Sequence, residues 1–433
     1  MTTPRPATPR SPGSARSTGA SSSGPPRSAR QARRLDLDSV ILDPATRVVV
    51  CCGSGGVGKT TTSAAIALRA AEHGRKVVVL TIDPARRLAQ SMGLSELDNS
   101  PRRIDLTRAE DADSASGGSA GGGKAGGDNA GGDNAGGDKG GELHAMMLDM
   151  KRTFDEIVSA HSTADRAEQI FANPFYQSLS SSFSGTQEYM AMEKLGQLRA
   201  RDEWDLIVVD TPPSRSALDF LDAPQRLGRF LDGRMLRLLL APARAGGRAY
   251  VKVVSASFGL FTRVLTKIIG GEALRDLSAF VGALETMFGG FRERAQRTYE
   301  LLQTPGTAFL VVASPEPDAL REASYFVDRL SAENMPLAGL VLNRVRFSTA
   351  PQLSAERAEV AADALRDQGG QPLAEAVLRI HAERITQATR DRRMRDRFVT
   401  AHPDVSIAEV PALASDVHDL TGLRTIGRAA STS

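Results

Sequence analysis

A glycine-rich loop between a strand and a helix constrains the fold of this chain more than any other feature. The run Arg47 to Cys52 is rich in β-branched residues and predicts a buried strand, while the apolar pattern from Thr60 to His73 predicts a helix closed by Gly74. Between them, GSGGVGKT (53–60) satisfies GxxxxGK[ST]. Backbone N–H groups and the helix N-terminus surround phosphate oxygens in such a loop. The sequence therefore predicts a nucleotide-phosphate site.

The residues of this loop have separate expected roles. Lys59 is expected to neutralise the β- and γ-phosphates, and the Thr60 hydroxyl is expected to bind Mg²⁺. The predicted cofactors are accordingly ATP and Mg²⁺. The loop residues predicted to bind them are Gly55, Gly56, Val57, Gly58, Lys59, Thr60 and Thr61.

Two carboxylates follow apolar strands. The run WDLIVVDTPP (204–213) predicts a strand that ends in Asp210, the usual position for a carboxylate that holds Mg²⁺ through water. Asp83 ends another strand in TIDPARRLAQSMG, and it is predicted to act with Lys59 in catalysis by orienting the attacking water. The alternative is that Asp83 caps a helix that begins at Pro84, and one residue can fill both roles.

Short apolar strands alternate with helical stretches along the chain, which indicates a parallel sheet covered on both faces. The sequence thus predicts an α/β P-loop NTPase fold, with a mostly parallel sheet, helices on both faces and an inserted α-helical subdomain. Ligands of such sheets bind beyond the carboxyl ends of the strands, where the loop and both aspartates fall. The remaining strand-like runs are Lys76 to Ile82, Leu143 to Leu148, Phe309 to Ala313, Gly339 to Leu342 and Val405 to Val410.

Composition divides the chain further. The N-terminal segment is rich in Ser, Pro, Gly and Arg and predicts a disordered basic tail, and a Gly-Asp-rich segment predicts a flexible insertion. The predicted boundaries are 1–38 for the tail, 39–425 for the ATPase domain with its insertion at 114–141 and its helical subdomain at 150–200 and 214–303, and 426–433 for a second tail.

Two of these segments allow a second interpretation. The repeats AGGDN, AGGDN and AGGDK place Asp128, Asp133 and Asp138 at equal intervals, so a calcium site is the alternative to a flexible linker. The stretch 214–303 is apolar on more than one helical face. We favour a helical subdomain that buries its own core, and the alternative is a groove for an apolar partner.

Charge and cysteine usage exclude several classes of protein. The net charge is +3, and no uncharged apolar run is long enough to span a bilayer, so we expect no nucleic-acid partner and no stable membrane insertion. Cys51 and Cys52 are adjacent and fit neither a disulfide framework nor a CxxC metal site, and the six histidines show no ligand spacing. These features predict a cytoplasmic protein that is peripheral at a membrane only through a partner.

Three motifs, GGVGKTTT, DPARRLAQSMG and VVDTPPSRSALDFLDAP, resemble those of the ArsA-type ATPases, in the deviant Walker A group that also contains MinD and ParA. ELHAMMLDMKRTFDE and SGTQEYMAMEKL extend the resemblance, which covers about Thr46 to Gly422. It implies that Asn343 of VLNRV reads the adenine and that Pro411 of VPALASDV lies beside it. It also implies a dimer that binds two ATP between its halves, closes on ATP, opens on hydrolysis and so loads or releases a partner.

Ser54 departs from the family pattern. Members of the family carry a lysine there, which reaches across the dimer to the partner's ATP. One explanation is that Ser54 only caps the loop while Arg86 or Arg87 supplies the charge. The favoured explanation is a heterodimer in which a paralogous subunit supplies the lysine. The chain also lacks the family's arsenite-binding cysteines and its CxxC zinc motif, which disfavours arsenite binding and a zinc-clamped homodimer.

The predicted function is that of an Mg-ATP-dependent ATPase, one subunit of a heterodimer, that couples hydrolysis to binding and release of a client. The client is expected to be a membrane-protein segment or an anion-transport partner. The alternatives are a non-hydrolysing, nucleotide-gated regulatory subunit and a MinD- or ParA-like positioning ATPase.

Overall fold

Eight strands form a single sheet. The computed structural model describes residues 32–82, 88–89, 92, 97–106, 140–174, 176–177, 180, 186–212, 290, 293–369 and 371–432. The strand order is β3-β4-β2-β5-β1-β6-β7-β8, and every pairing is parallel except that of β3 with β4. The strands are β1 (Val48–Gly53), β2 (Lys76–Thr81), β3 (Arg102–Arg103), β4 (Glu142–Met147), β5 (Leu206–Asp210), β6 (Thr307–Ala313), β7 (Leu337–Val345) and β8 (Ile407–Pro411).

Helices follow most of the strands in the described part of the chain. Their bounds are α1 (Leu37–Ile41), α2 (Lys59–Glu72), α3 (Met150–His161), α4 (Ala164–Ala172), α5 (Thr186–Arg201), α6 (293–302), α7 (Pro317–Ala332), α8 (Ala355–Gln368), α9 (Pro372–Ala401) and α10 (Leu420–Thr432). None of these described helices is both long and apolar enough to cross a membrane.

The sheet is buried on both faces, as the continuous apolar strands predict. Along β1, Val48, Val50 and Cys52 belong to one apolar cluster, whereas Val49 and Cys51 belong to the cluster on the opposite face. The first cluster includes side chains of α3, α5 and α7, and the second includes side chains of α2 and α10. Successive side chains of a strand point to opposite faces, so each cluster is one helix-covered layer. The predicted α/β class, with a mostly parallel sheet and helices on both faces, is confirmed.

Helices also occupy part of the predicted subdomain. Three of them, α3 to α5, lie between β4 and β5 and account for the predicted helical stretch at 150–200. Most of the second stretch, 214–303, lies outside the described residues, which there comprise residue 290 and a segment that begins at 293. The N-terminal tail up to residue 31 and the insertion from 114 to 139 lie outside them as well, and so do the three aspartates of the alternative calcium site.

The folded domain extends past both of its predicted limits. Leu35 and Leu37 are buried in the same cluster as α2, so the domain begins before residue 39. At the other end, Ile426 and Ala430 are buried in α10, so residues 426–432 are not a tail. The buried residues of α10 recur at helical spacing. Most residues of TGLRTIGRAAST (421–432) are small or polar, so this period is weak in the sequence alone.

Candidate active site

The glycine-rich loop joins β1 to α2 in a conformation that depends on glycine. Gly53 and Gly58 have φ angles of +152° and +93°, which other residues rarely adopt. A Cβ at Gly53 would collide with the carbonyl oxygen of Val312, and one at Gly58 would collide with Nδ2 of Asn343. Gly58 is the N-cap of α2 and brings no side chain to that position. The turn thus presents helix N-terminal amides to an anion.

Lys59 is buried at the end of the loop, where it is predicted to neutralise the nucleotide phosphates. Its Nζ donates a 2.8 Å hydrogen bond to the carbonyl oxygen of Ser54, and the residue is only 6% exposed. A buried ammonium group is costly unless it meets opposite charge and acceptors. Phosphate oxygens held by the loop amides would supply both, so the position of Lys59 fits its predicted role.

A carboxylate lies beside the first turn of α2. Asp210 ends β5 and is completely buried, and its Oδ2 accepts hydrogen bonds from the Thr60 hydroxyl at 2.7 Å and from the Thr81 hydroxyl at 3.0 Å. The sheet order explains this meeting, because β5 lies between β1 and β2. Cys51 of β1 and Thr81 of β2 both stand in register with Asp210. Two neighbouring strands and the helix therefore fix one carboxylate.

This donor set suits magnesium. The cation prefers oxygen ligands and keeps several waters, so one hydroxyl and one carboxylate beside a phosphate site are an adequate protein contribution. Thr60 and Asp210 provide them within 2.7 Å of each other. The described residues contain no group of three or more His, Cys, Asp or Glu side chains that would suit another metal ion.

Asp83 lies outside the described residues, and so do Arg86 and Arg87. The residue before it, Ile82, is described, and its backbone N–H donates to the carbonyl oxygen of Asp210 at 3.0 Å. The chain thus leaves β2 beside the carboxylate of Asp210, the predicted magnesium ligand. The catalytic and helix-capping roles of Asp83 both stay predictions.

Asn343 contacts the loop directly. Its Nδ2 donates to the carbonyl oxygen of Val57 at 2.9 Å, and its Oδ1 accepts the backbone N–H of Arg344 at 2.9 Å. The amide thus braces the loop, and its predicted adenine contact stays a prediction. Pro411, at the end of β8, pairs with Val345 at the same edge of the sheet. The structure brings Asn343 to the phosphate loop and places Pro411 farther along that edge.

Ser54 is buried within its own chain. The residue is 8% exposed, and its Oγ has no hydrogen-bond partner among the residues that the structure describes. Cys51 and Cys52, just before the loop, are fully buried, and burial raises the pKa of each thiol to about 12. Both thiols are therefore protonated at neutral pH and suit neither metal binding nor nucleophilic chemistry.

Two residues of this site were missed by the sequence analysis. Thr81 is the polar last residue of β2, directly after the apolar run Val77 to Leu80, and that position was the available signal. Arg344, whose Nη1 donates to the carbonyl oxygen of Gly56 at 3.0 Å, gives no such signal because the contact joins residues 288 positions apart.

Several known proteins are similar to this chain. ATPase ARSA2 of Chlamydomonas reinhardtii is 23% identical over 393 residues, which cover 90% of this chain and 85% of that protein. An ATPase ASNA1 homolog of Plasmodium berghei is 23% identical over 77% of this chain and 72% of its own length. ATPase GET3 of Podospora anserina is 22% identical over 72% of this chain and 76% of its own length.

The family model of the anion-transporting ATPases matches residues 46–111 and 139–361. These ranges contain the glycine-rich loop, Asp210 and Asn343, whereas Pro411 lies beyond them. Because the match covers well over half of the chain and includes its phosphate loop, the chain belongs to the anion-transporting, ArsA-type ATPase family and is an ATP-hydrolysing enzyme.

Proposed function

We propose that this ATPase works as one subunit of a heterodimer, in which a paralogous subunit supplies the lysine absent at position 54. The observation that carries the proposal is the contrast between Ser54 and the other polar residues of the site. Lys59, Thr60 and Asp210 are assembled within one chain, whereas Ser54 is buried and uncharged. Serine has neither the length nor the charge to reach a second nucleotide. The chain thus has residues that can act on its own nucleotide, and it lacks the lysine that would act on the partner's nucleotide.

In hydrolysis, a water oxygen attacks the γ-phosphorus while the bond to the β–γ bridging oxygen breaks, and ADP and phosphate leave. Catalysis of such a step consists mainly of positioning and charge neutralisation. The loop amides and Lys59 hold the phosphates, and Asp83 orients the attacking water. Thr60 and Asp210 would hold Mg²⁺, which would neutralise charge on the β- and γ-oxygens when bound.

A heterodimer is favoured because the missing lysine would have a large effect on the rate of hydrolysis. A cation that reaches a phosphoryl-transfer site from another subunit is worth about 10³- to 10⁵-fold in rate. A homodimer of this chain would lack that cation at both sites, whereas a heterodimer with a lysine-bearing paralogue would have it at the site of this chain. The partner's own site would then be slow or structural.

The cycle drives binding and release of a client, which we propose to be a membrane-protein segment or an anion-transport partner in the cytoplasm. The second alternative, a membrane- or DNA-positioning ATPase, has no described feature in its favour. The non-hydrolysing alternative is set aside because the chain belongs to an ATPase family.

The decisive experiment compares the ATPase rates of this chain alone, of its Ser54→Lys variant, and of this chain mixed with a lysine-bearing paralogue. We expect the chain alone to be slow, and both the variant and the mixture to be faster by two or more decades. Ser54→Ala is the matched control, because it also removes the buried hydroxyl but adds no charge. Its rate should equal that of the unmodified chain.

Two results would contradict the heterodimer. The first is a full rate for the unmodified chain by itself, in which case the charge comes from within the chain. The second is a slow mixture whose two components are shown to associate. Thermal unfolding of Ser54→Lys shows whether the longer side chain is accommodated at this buried position. In the active mixture, Asp83→Asn should abolish turnover.

A further inference from the structure

Arg344 has a backbone conformation that is unusual for its residue type. Among the described residues, three that are not glycine have positive φ angles: Asp202, Asn334 and Arg344. Aspartate and asparagine tolerate the left-handed region, whereas arginine gains nothing there and pays roughly 1 kcal/mol or more. The φ of Arg344 is +60°. A strained residue of this kind persists only where its surroundings hold it.

The surroundings of Arg344 are the phosphate loop and the end of β7. The pairing of β7 with β8 shifts register between Leu342 and Val345, on either side of the strained residue. Inside that irregularity, the side chain of Asn343 accepts the backbone N–H of Arg344 and donates to the carbonyl oxygen of Val57. The guanidinium of Arg344 then donates to the carbonyl oxygen of Gly56. Two consecutive residues of β7 thus hold two consecutive carbonyls of the loop.

The direction of these bonds matters for the nucleotide. A trans peptide points its C=O and the following N–H in opposite directions, and no described peptide bond is cis. A guanidinium on the Gly56 carbonyl therefore leaves the N–H of Val57 pointing away from Arg344. The bond also polarises that peptide, because hydrogen bonds in a chain strengthen one another. Gly56 itself is exposed, so the arginine places a positive charge at the tip of the loop.

We infer that Arg344 is a positioning residue for the nucleotide phosphates, which acts through the Gly56–Val57 peptide and not by direct contact. Its charge-assisted bond fixes the curvature of the loop and favours anions in it. The arginine thereby lets this chain bind nucleotide in cis, without the lysine that the proposed partner supplies for hydrolysis. This inference rests on the nucleotide site of the proposed function.

The test measures binding of Mg-ADP by isothermal titration calorimetry to the full chain and to Arg344→Met, which keeps the length of the side chain and removes its charge. We expect about tenfold weaker binding at low salt. The difference should narrow in high salt, since an exposed charge is screened. Arg321→Met is the matched control, because Arg321 is exposed and pairs only with Asp318 among the described residues. Its affinity should not change.

A second variant separates positioning from a structural role. Arg344→Gly loses the same charge and hydrogen bond as Arg344→Met but relieves the left-handed strain, so it should unfold at a higher temperature than Arg344→Met while binding Mg-ADP equally weakly. If Arg344 acted only through stability, affinity would recover together with the unfolding temperature. The inference would be overturned if Arg344→Met bound Mg-ADP with unchanged affinity, or if its loss of affinity did not depend on salt. Failure of the unmodified chain to bind Mg-ADP would instead contradict the nucleotide site itself.

Discussion

The carboxylate of Asp210 shows how single residues define the predicted magnesium site. A completely buried carboxylate is costly to desolvate unless hydrogen bonds or a cation compensate for the lost water. The hydroxyls of Thr60 and Thr81 both donate to its Oδ2. Thr60 is expected to turn to the cation when Mg-ATP binds, whereas Thr81 belongs to a strand and stays. Thr81 is therefore the permanent support of the carboxylate.

Thr81→Val should weaken the apparent affinity for Mg²⁺ in the ATPase reaction by about tenfold, because supporting residues around metal ligands have effects of this size. Valine keeps the shape of threonine and its β-branched fit to the strand, so the main loss is one hydrogen bond. The measurement is the ATPase rate as a function of free Mg²⁺ at saturating ATP.

The matched control is Thr62→Val. Thr62 is also buried, but its Oγ1 has no hydrogen-bond partner in the described part of the chain, so the same substitution should leave the Mg²⁺ dependence unchanged and stability equal or higher. Equal Mg²⁺ affinities for the two variants would show that Thr81 does not support the carboxylate.

Among the elements, the C-terminal helix α10 packs against α2 and β8. Leu423, Ile426 and Ala430 are buried there, and a Cβ at Gly427 would lie 3.2 Å from the carbonyl oxygen of Ala65. Asp38 of α1 joins the same group of helices, and its hydrogen bond from an arginine of α2 holds the pKa of its carboxyl below the usual range. The first and last described helices, α1 and α10, are thus both joined to the helix that begins at the phosphate loop.

Ile426→Ala should lower the free energy of unfolding by about 2–4 kcal/mol, because it leaves a cavity between two closely packed helices. Arg428→Ala, in an exposed position of the same helix, should change it by less than about 0.5 kcal/mol. Urea unfolding of both variants measures the difference. If both changed stability equally little, the packing of α10 would contribute nothing to the fold.

Sequence reasoning predicted elements well where hydrophobicity is continuous. The apolar runs of β1, β2, β5 and β6 predict strands within a residue or two of their observed bounds, since a strand buried on both faces has no polar positions to obscure it. The two-residue edge strand β3 and the small-residue helix α10 were missed. Their apolar content is too low, and tertiary packing decides their structure.

For the molecule as a whole, the predictable part of the site is the part that sheet topology alone assembles. Parallel strands bring their carboxyl ends to one edge, so the loop and Asp210 were predictable as neighbours. The brace from Asn343 was not, because its bond to Val57 spans 286 residues and depends on the order of strands between them. Sequence spacing carries no information about such contacts.

The domain organisation makes a final prediction about the glycine-rich insertion. Its described flanks are held by the antiparallel pairing of β3 with β4, where Arg102 stands opposite Ala145. If the insertion is a flexible linker, deletion of residues 114–138 should leave the ATPase rate within about twofold and raise stability by less than about 1 kcal/mol, because loop-closure entropy depends only weakly on length. Urea unfolding and steady-state ATPase assays check both values.

Replacement of the insertion by a Gly-Ser segment of equal length tests whether its composition matters, and addition of Ca²⁺ tests the alternative of a calcium site. If the insertion is a linker, the Gly-Ser chain should have the stability and ATPase rate of the natural chain. Neither Ca²⁺ nor a chelator should then affect either chain. A calcium site built from Asp128, Asp133 and Asp138 would instead stabilise the natural chain alone on addition of Ca²⁺, because a ligand that binds only the folded form shifts unfolding by mass action. Such a selective shift would replace the linker with a metal site.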